Sequence, residues 1–298
     1  MKIKFVAYWN TDYNIYRFVD DIWNIDGLYD SILTYKDDYT HLVILNKVNN
    51  SLYNIVKENT YGIAIEPYWS TSFDKNMLSY CKKLITYEPD KYNSENTIFS
   101  PLIGTHRLYD SVNHEIEPKE NRTKEILSEN FPKSKKLSII VNNHGFDSRL
   151  DTLYNNRQNL VYKLFDSNLN FDMYGQNWNI SDSRYKGFIK NKIDGIKDYE
   201  YTISLENSNI SGHITEKFID AILCNTIPIY NGHKDIDRFY PNSCEHLEYD
   251  GQEIDRITDI LNSGKSYKDY DFRGVKELYF NEYNPIRIIL DDITKIII

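Results

Sequence analysis

Hydrophobic and polar positions alternate along the first half of the chain in a pattern typical of strands separated by helices. Runs of β-branched and aromatic residues predict strands over KIKFVAY, SILTYK, HLVILN, GIAIEP and KLITYE. Apolar positions at helical spacing predict helices over YRFVDDIW, SLYNIVKEN and DKNMLSYCKK. Strands that alternate with helices favour a parallel sheet in an α/β layer structure.

A second series of strands and helices follows a polar segment. Residues 118–136 are charged and contain two prolines, which makes them the best candidate for a linker. Beyond them, the pattern predicts strands over LSIIVNN, FDMYG, YEYTISLEN and TIPIYNG, and helices over NNRQNLVYKLF, TEKFIDAIL and EIDRITDILN. We therefore predict an α/β fold of two Rossmann-like domains, residues 1–132 and 133–298, facing a central cleft. The last segment, NPIRIILDDITKIII, is expected to form a helix that packs back on the first domain.

Composition and charge argue against several classes of protein. The chain has 298 residues, of which 41% are hydrophobic and 27% charged, so we expect a globular protein. A net charge of -9 without a long basic run argues against a nucleic-acid partner. No apolar run reaches about 18 residues and the N-terminus lacks a secretory pattern, so we expect no membrane span and a cytoplasmic location. The cysteines, Cys81, Cys224 and Cys244, lack CxxC spacing, which fits free thiols and gives no support to a zinc site.

Polar and ionisable residues crowd the stretch SLENSNISGHITEKF, between a predicted strand and a predicted helix. Thr215 is in position to cap the helix, with Glu216 and Lys217 in its first turn. The positive end of a helix dipole favours a bound anion, and Lys217 adds a full positive charge. The stretch is therefore a candidate phosphate site, although an ordinary cap, a first-turn acid and a solvated lysine would give the same pattern.

The run YEYTISLENSNISGHITEKFIDAILCNTIPIYNG resembles the signature of glycosyltransferase family 10, the α-1,3/1,4-fucosyltransferases. The spacing between LENS, ITEKF and IPIYNG is that of the family. The resemblance implies a GT-B fold and an inverting glycosyltransferase that moves fucose from GDP-fucose to a hydroxyl of an acceptor glycan. Two alternatives stay open: a different nucleotide-deoxysugar donor, or a non-catalytic relative that binds a glycan or a nucleotide.

The resemblance also implies a set of residues that bind the donor. Arg157 matches an arginine that binds the pyrophosphate, and Arg149 is a competing match for it. His213 stands where the family has a tyrosine, so the preferred nucleotide or sugar could differ from that of the family. The implied donor-binding residues are Arg157, Asn207, Ser208, His213, Thr215, Glu216 and Lys217.

The segment GIAIEPYWSTSF resembles the family segment that carries the catalytic glutamate, which aligns Glu66 with that residue. One carboxylate suffices to take the proton from the attacking hydroxyl. Glu88 is the competing carboxylate. The aromatic residues Trp9, Tyr68 and Trp69 are candidates for contacts with the acceptor, although they could equally be core residues. The resemblance implies no obligatory cofactor and no bound metal, with at most a stimulatory divalent ion.

Overall fold

The computed structural model describes residues 1–24, 27–49, 53–66, 68, 70–92, 94–101, 108, 131–143 and 153–295. The chain divides into two compact units. The described residues of the first unit lie within 1–105, 211–213 and 277–298, and those of the second lie within 106–210 and 214–276. Most of the predicted linker, residues 118–136, lies outside the described residues.

The first unit contains a six-stranded parallel sheet. Its strands are β1 (Ile3–Ala7), β2 (Leu33–Thr34), β3 (His41–Leu45), β4 (Thr60–Ile63), β5 (Lys83–Thr86) and β6 (Thr97–Phe99). They lie in the order β2-β1-β3-β4-β5-β6, and every neighbouring pair is parallel. β1 and β4 are buried along their whole length, as expected for a parallel sheet with both faces covered. The strands predicted in the first half of the chain are therefore confirmed.

Two helices of the first unit follow the apolar pattern of the sequence. α1 (Asp12–Trp23) begins at Thr11, whose hydroxyl accepts a hydrogen bond from the Asn14 amide at 3.3 Å. This is an ordinary N-cap, and the helix buries one apolar face. α2 (Met77–Tyr80) is a single turn inside the longer helix predicted over DKNMLSYCKK.

The helix predicted over SLYNIVKEN is wrong. Residues 53–56 are not helical, and only a 3₁₀ turn, Lys57–Asn59, precedes β4. Tyr53 and Ile55 pack against the core, whereas Asn54 and Val56 are exposed. Alternation of buried and exposed residues with a period of two is typical of an extended segment. In so short a segment, the positions of the apolar residues also fit a helix, which explains the wrong prediction.

The second unit contains another six-stranded parallel sheet. Its strands are β7 (Lys135–Ile140), β8 (Asp172–Tyr174), β9 (Tyr185–Gly187), β10 (Tyr199–Leu205), β11 (Ile227–Asn231) and β12 (Glu245–His246). They lie in the order β12-β11-β10-β7-β8-β9. β7 and β10 are therefore neighbours at the centre of the sheet, although they are far apart in the chain.

Helices lie between the strands of the second unit and after its last strand, β12. They are α3 (Leu153–Asp166), α4 (Glu216–Leu223), α5 (Ile236–Phe239), α6 (Glu253–Asn262) and α7 (Phe272–Glu277). α4 is apolar on most of its surface, and Phe218 through Leu223 are buried. Among the described residues, no helix combines the length and the apolar character that crossing a membrane requires.

The C-terminal segment belongs to the first unit and ends in α8 (Pro285–Thr294). Asp292 of this helix accepts hydrogen bonds from Tyr61 Oη and Lys82 Nζ, each at 2.7 Å. Lys83 Nζ lies 2.7 Å from its second carboxylate oxygen. Tyr61 is on β4, Lys82 directly precedes β5, and Lys83 is the first residue of β5. Asp292 therefore holds α8 against the sheet of the first unit.

Candidate functional site

The order of strands in the second sheet reverses between β7 and β10. In α/β sheets, ligands bind outside the carboxyl ends of the strands at such a reversal. The residues at these ends are Asn142 and Asn143 after β7, and Glu206, Asn207 and Ser208 after β10. The polar stretch identified in the sequence therefore begins at the expected position of a ligand.

Glu206 is fully buried, and its carboxylate is occupied by groups of the protein itself. The Thr215 amide donates to one carboxylate oxygen at 2.9 Å, and the Thr215 hydroxyl donates to the other at 2.7 Å. Tyr230 Oη donates to the first oxygen at 3.3 Å. Glu206 therefore fixes Thr215, the residue that caps α4. The Thr215 amide, which the sequence suggests as a phosphate-binding group, binds the Glu206 carboxylate instead.

The first turn of α4 carries the predicted cap and charges. Thr215 is the N-cap, as predicted, and its hydroxyl accepts from the Lys217 amide at 3.4 Å. Lys217 Nζ lies 3.0 Å from Glu216 Oε1 and 3.6 Å from Glu206 Oε2. Burial acts to lower the pKa of Lys217, but the two carboxylates outweigh it, so the pKa lies above its ordinary value. Lys217 is therefore a positively charged group held in place by two acids.

A second lysine, Lys192, also lies next to Glu216. Lys192 Nζ is 3.8 Å from Glu216 Oε1 and 3.4 Å from Asp220 Oδ2. Asp220 is on α4 and is almost fully buried. Glu216 thus lies between Lys192 and Lys217, and the sequence offered no motif that singled out Lys192.

Arg157, on α3, is a buried cation with 6% of its surface exposed. Its Nη1 donates to Asn207 Oδ1. This hydrogen bond joins α3 to the segment that follows β10. Its Nε is buried and has no hydrogen-bond partner among the described residues. Burial lowers the pKa of Arg157, yet a guanidinium stays charged at neutral pH. The carboxylates of Glu206 and Glu216 offset part of the cost of burying this charge, and the unused Nε donor is available to an anion.

A cavity of about 370 Å³ opens at the carboxyl ends of the strands of the second unit. Its size is within the range of small-molecule sites. Asn231 Oδ1 and Tyr249 Oη are buried without hydrogen-bond partners in the described part of the chain, and both residues line the cavity. Tyr249 also interacts electrostatically with Arg157. Other residues that line the cavity include Asn156, Asn209, Gly232, His233 and His246.

The remaining predicted donor residues have less distinctive surroundings. Ser208 is partly buried at the end of β10. His213 is grouped with the first unit, where its ring lies 4.9 Å from the ring of Tyr87. Gly212 before it has a φ of +74°, a conformation that favours glycine. Arg149, the competing match for the pyrophosphate arginine, lies outside the described residues.

The two candidate catalytic carboxylates of the first unit differ in what they contact. Glu66 is exposed shortly after β4, and its amide, like that of Ile65, donates to Asn46 Oδ1. Its carboxylate has no hydrogen-bond or ion-pair partner among the described residues. Glu88 Oε2, in contrast, accepts from the Tyr68 amide at 2.8 Å. Glu88 therefore has a structural contact, whereas the Glu66 carboxylate is available.

The aromatic candidates for acceptor contacts also differ. Trp9 is 40% exposed and packs edge to face on Tyr8, which is 46% exposed. Tyr68 is partly buried, and its ring lies 5.4 Å from that of Tyr92. Trp69 lies outside the described residues. Of these candidates, Trp9 presents the more accessible aromatic face.

Sequence reasoning missed the residues of the cavity that come from the ends of β11 and β12, such as Asn231, His246 and Tyr249. The predicted strand TIPIYNG could have indicated Asn231, because ligands bind at the carboxyl ends of parallel strands and Asn231 is the polar residue at that end. β12 is only two residues long, and its sequence has no pattern that would have predicted it.

Comparison with known proteins relates the second unit to one family. Residues 131–263 match the family model described as glycosyltransferase family 10 (fucosyltransferase) C-term. The chain is 32% identical over 99 residues to an alpha-(1,3)-fucosyltransferase of Helicobacter pylori, a match that covers 33% of this chain and 20% of that protein. It is 27% identical over 93 residues to a fucosyltransferase-like protein of Arabidopsis thaliana, covering 31% of this chain and 17% of that protein.

Solved structures show the same architecture over most of the chain. A crystal structure of an alpha1,3-fucosyltransferase matches with a TM-score of 0.53 and 16% identity, covering 93% of this chain and 88% of that one. A crystal structure of an alpha1,3-fucosyltransferase with GDP matches with a TM-score of 0.50 and 16% identity, covering 94% and 91%. The predicted fold class, two parallel α/β units of GT-B type, is confirmed. In sequence, the matches span no more than about a fifth of the length of these curated relatives.

Proposed function

We propose, from the membership of residues 131–263 in glycosyltransferase family 10, that the protein transfers fucose from GDP-fucose to a hydroxyl of an acceptor glycan. The second unit is the proposed donor-binding unit. The proposed donor residues are those that the resemblance implies: Arg157, Asn207, Ser208, His213, Thr215, Glu216 and Lys217.

The observation that carries the proposal is the buried Arg157 Nε, which has no hydrogen-bond partner among the residues that the structure describes and which lies near Tyr249 of the cavity. A nucleoside diphosphate supplies an oxygen to which Arg157 Nε can donate, and its base and ribose have polar groups that can pair with Asn231 and Tyr249. Lys217 adds a second cation at the start of α4. These groups would also stabilise the negative charge that grows on the nucleotide as the sugar leaves.

Proton transfer is assigned to Glu66. In an inverting transfer, the acceptor hydroxyl loses its proton as it attacks the anomeric carbon, and the nucleotide leaves from the opposite face. The Glu66 carboxylate is exposed and has no partner in the part of the chain that the structure describes, and the Ile65 and Glu66 amides both donate to Asn46, so Glu66 suits a general base. Glu88 suits it less because its carboxylate binds the Tyr68 amide.

Isothermal titration of nucleotides and nucleotide sugars into the full chain tests the donor assignment. We expect GDP and GDP-fucose to bind, and Arg157→Gln to weaken both. A charge-assisted hydrogen bond contributes on the order of 1.5–3 kcal/mol, which is about 10- to 150-fold in Kd. Arg256→Gln is the matched control, because Arg256 lies in the same unit but forms an exposed pair with Asp250 at 2.7 Å.

The outcomes separate the open alternatives. Binding of another nucleotide-deoxysugar in preference to GDP-fucose would favour a different donor. This alternative is tested because His213 stands where the family has a tyrosine. Binding of GDP-fucose without hydrolysis or transfer to any glycan would indicate a non-catalytic relative. Failure of every guanine nucleotide to bind would refute the proposed donor.

A further inference from the structure

Three metal-ligating side chains converge beside the strands of the second unit. Asp237 is on α5, Cys244 directly precedes β12, and His246 is the second residue of β12. One ligand atom from each, a carboxylate oxygen, the thiol sulfur and an imidazole nitrogen, all lie within 4.8 Å of one another. His246 Nε2 and Asp237 Oδ2 are 2.7 Å apart.

The chemistry of this set is that of a zinc-type ion. Cysteine sulfur, histidine nitrogen and aspartate oxygen are the usual zinc ligands, at about 2.0–2.3 Å from the metal. Tetrahedral geometry at those bond lengths places the ligand atoms about 3.3–3.8 Å from one another. A separation within 4.8 Å has to close by at most about 1 Å, and the 2.7 Å contact between His246 and Asp237 has to open by about 0.6 Å. Rotation of the Asp237 side chain, which is 55% exposed, can supply this movement.

The other two ligands are already positioned by the sheet. β12 pairs with β11, with Tyr230 opposite His246, so the sheet fixes the backbone that carries the imidazole. Cys244 is buried and lies two residues away in the chain. The spacing, Asp-x₆-Cys-x-His, carries no CxxC motif, and the fold alone brings the three groups together.

We propose that Asp237, Cys244 and His246 form a site for one zinc-class divalent ion, with water as the fourth ligand. Binding releases the Cys244 proton to solvent, since the thiolate is the ligand. The ion joins α5 to β12 and thereby fixes the segment 237–246, whose His246 lines the 370 Å³ cavity. This proposal does not depend on the proposed function, because it concerns binding of the ion alone.

Cobalt(II) titration of the full chain, after removal of metals with a chelator, tests the site. We expect one Co²⁺ per chain, a thiolate-to-cobalt charge-transfer band, the strong visible bands of tetrahedral cobalt, and loss of these bands when Zn²⁺ is added. Asp237→Asn, at an exposed position, should fold normally and weaken the binding of both ions at least about tenfold. His246→Gln should act in the same direction, and Cys244→Ser should abolish the charge-transfer band.

The matched control is His233→Gln. His233 Nδ1 lies 3.1 Å from Asp235 in the same unit, which makes a similar histidine–aspartate pair outside the cluster. We expect this substitution to leave the cobalt spectrum unchanged. The proposal is overturned if the wild-type chain shows no thiolate-to-cobalt band, or if Asp237→Asn binds Co²⁺ and Zn²⁺ as tightly as the wild type does. In either case the 2.7 Å contact is an ordinary ion pair.

Discussion

Replacement of Glu206 by alanine removes the carboxylate that holds the start of α4. The Thr215 amide, the Thr215 hydroxyl and the Tyr230 hydroxyl then lose their acceptor, and Lys217 loses one of its two acidic neighbours. Breaking a buried, hydrogen-bonded ion pair by removing one partner costs about 3–5 kcal/mol. Against a typical stability of about 5–15 kcal/mol, this is a large loss.

Urea unfolding followed by circular dichroism measures the effect. Glu200→Ala is the matched control, because Glu200 lies on the same strand but forms an exposed pair with Lys136 at 2.6 Å. An exposed ion pair contributes at most about 1 kcal/mol. We therefore expect Glu206→Ala to lower the free energy of unfolding by about 3–5 kcal/mol, and Glu200→Ala to change it by less than about 1 kcal/mol.

Glu206→Gln separates charge from shape. Glutamine keeps one acceptor oxygen but places an NH₂ group opposite a donor of Thr215, so the loss should be smaller than for alanine yet larger than for the control. If Glu206→Ala and Glu200→Ala destabilise the protein equally, Glu206 does not hold the start of α4 and the reasoning is refuted.

Three further substitutions test other parts of the molecule. Glu66→Gln should lower the rate of sugar transfer by about 10²- to 10⁴-fold with donor affinity unchanged, whereas Glu88→Gln should mainly affect stability; equal rate losses would contradict this assignment. Burial acts to raise the pKa of Asp292, but its lysine and tyrosine partners hold it at about 2, so its stabilisation is present above about pH 4 and lost as pH falls towards 2. Asp292→Asn should therefore unfold more readily than wild type at pH 6, and this difference should shrink as the pH falls to 2; a difference independent of pH would contradict the linkage. Arg184 donates to four backbone carbonyls at the end of α3, so Arg184→Met should cost at least about 2 kcal/mol in urea unfolding, and a neutral effect would contradict that role.

The parts of the structure that follow from local sequence were predictable. The strand runs are confirmed because buried parallel strands need consecutive apolar residues. Thr215 is confirmed as a helix cap because its role depends only on the next few residues. The helix predicted over SLYNIVKEN failed because Tyr53 and Ile55 face a core that the segment itself does not reveal.

The parts of the site that depend on distant residues were not predictable. Glu206 contacts Tyr230 across 24 positions of the chain, and Arg157 contacts Asn207 across 50. Lys192 approaches α4 from a 3₁₀ turn, Lys192–Gly195, that carries no motif. Contacts of this kind arise from the pairing order of the strands, which local patterns do not encode.

The charges around the first turn of α4 decide which groups can hold an anion. Two lysines, Lys192 and Lys217, face three carboxylates, those of Glu206, Glu216 and Asp220, so this cluster has no net positive charge. If the site binds the proposed diphosphate, the attraction therefore cannot come from the summed charge of this cluster, and the chain as a whole has a net charge of -9. The Glu206 carboxylate already accepts two hydrogen bonds from Thr215 and lies 3.6 Å from Lys217 Nζ. Within the described ranges, Arg157 Nε is a buried cationic donor without a hydrogen-bond partner, and we therefore expect Arg157 rather than Lys217 to dominate the affinity for the proposed nucleotide.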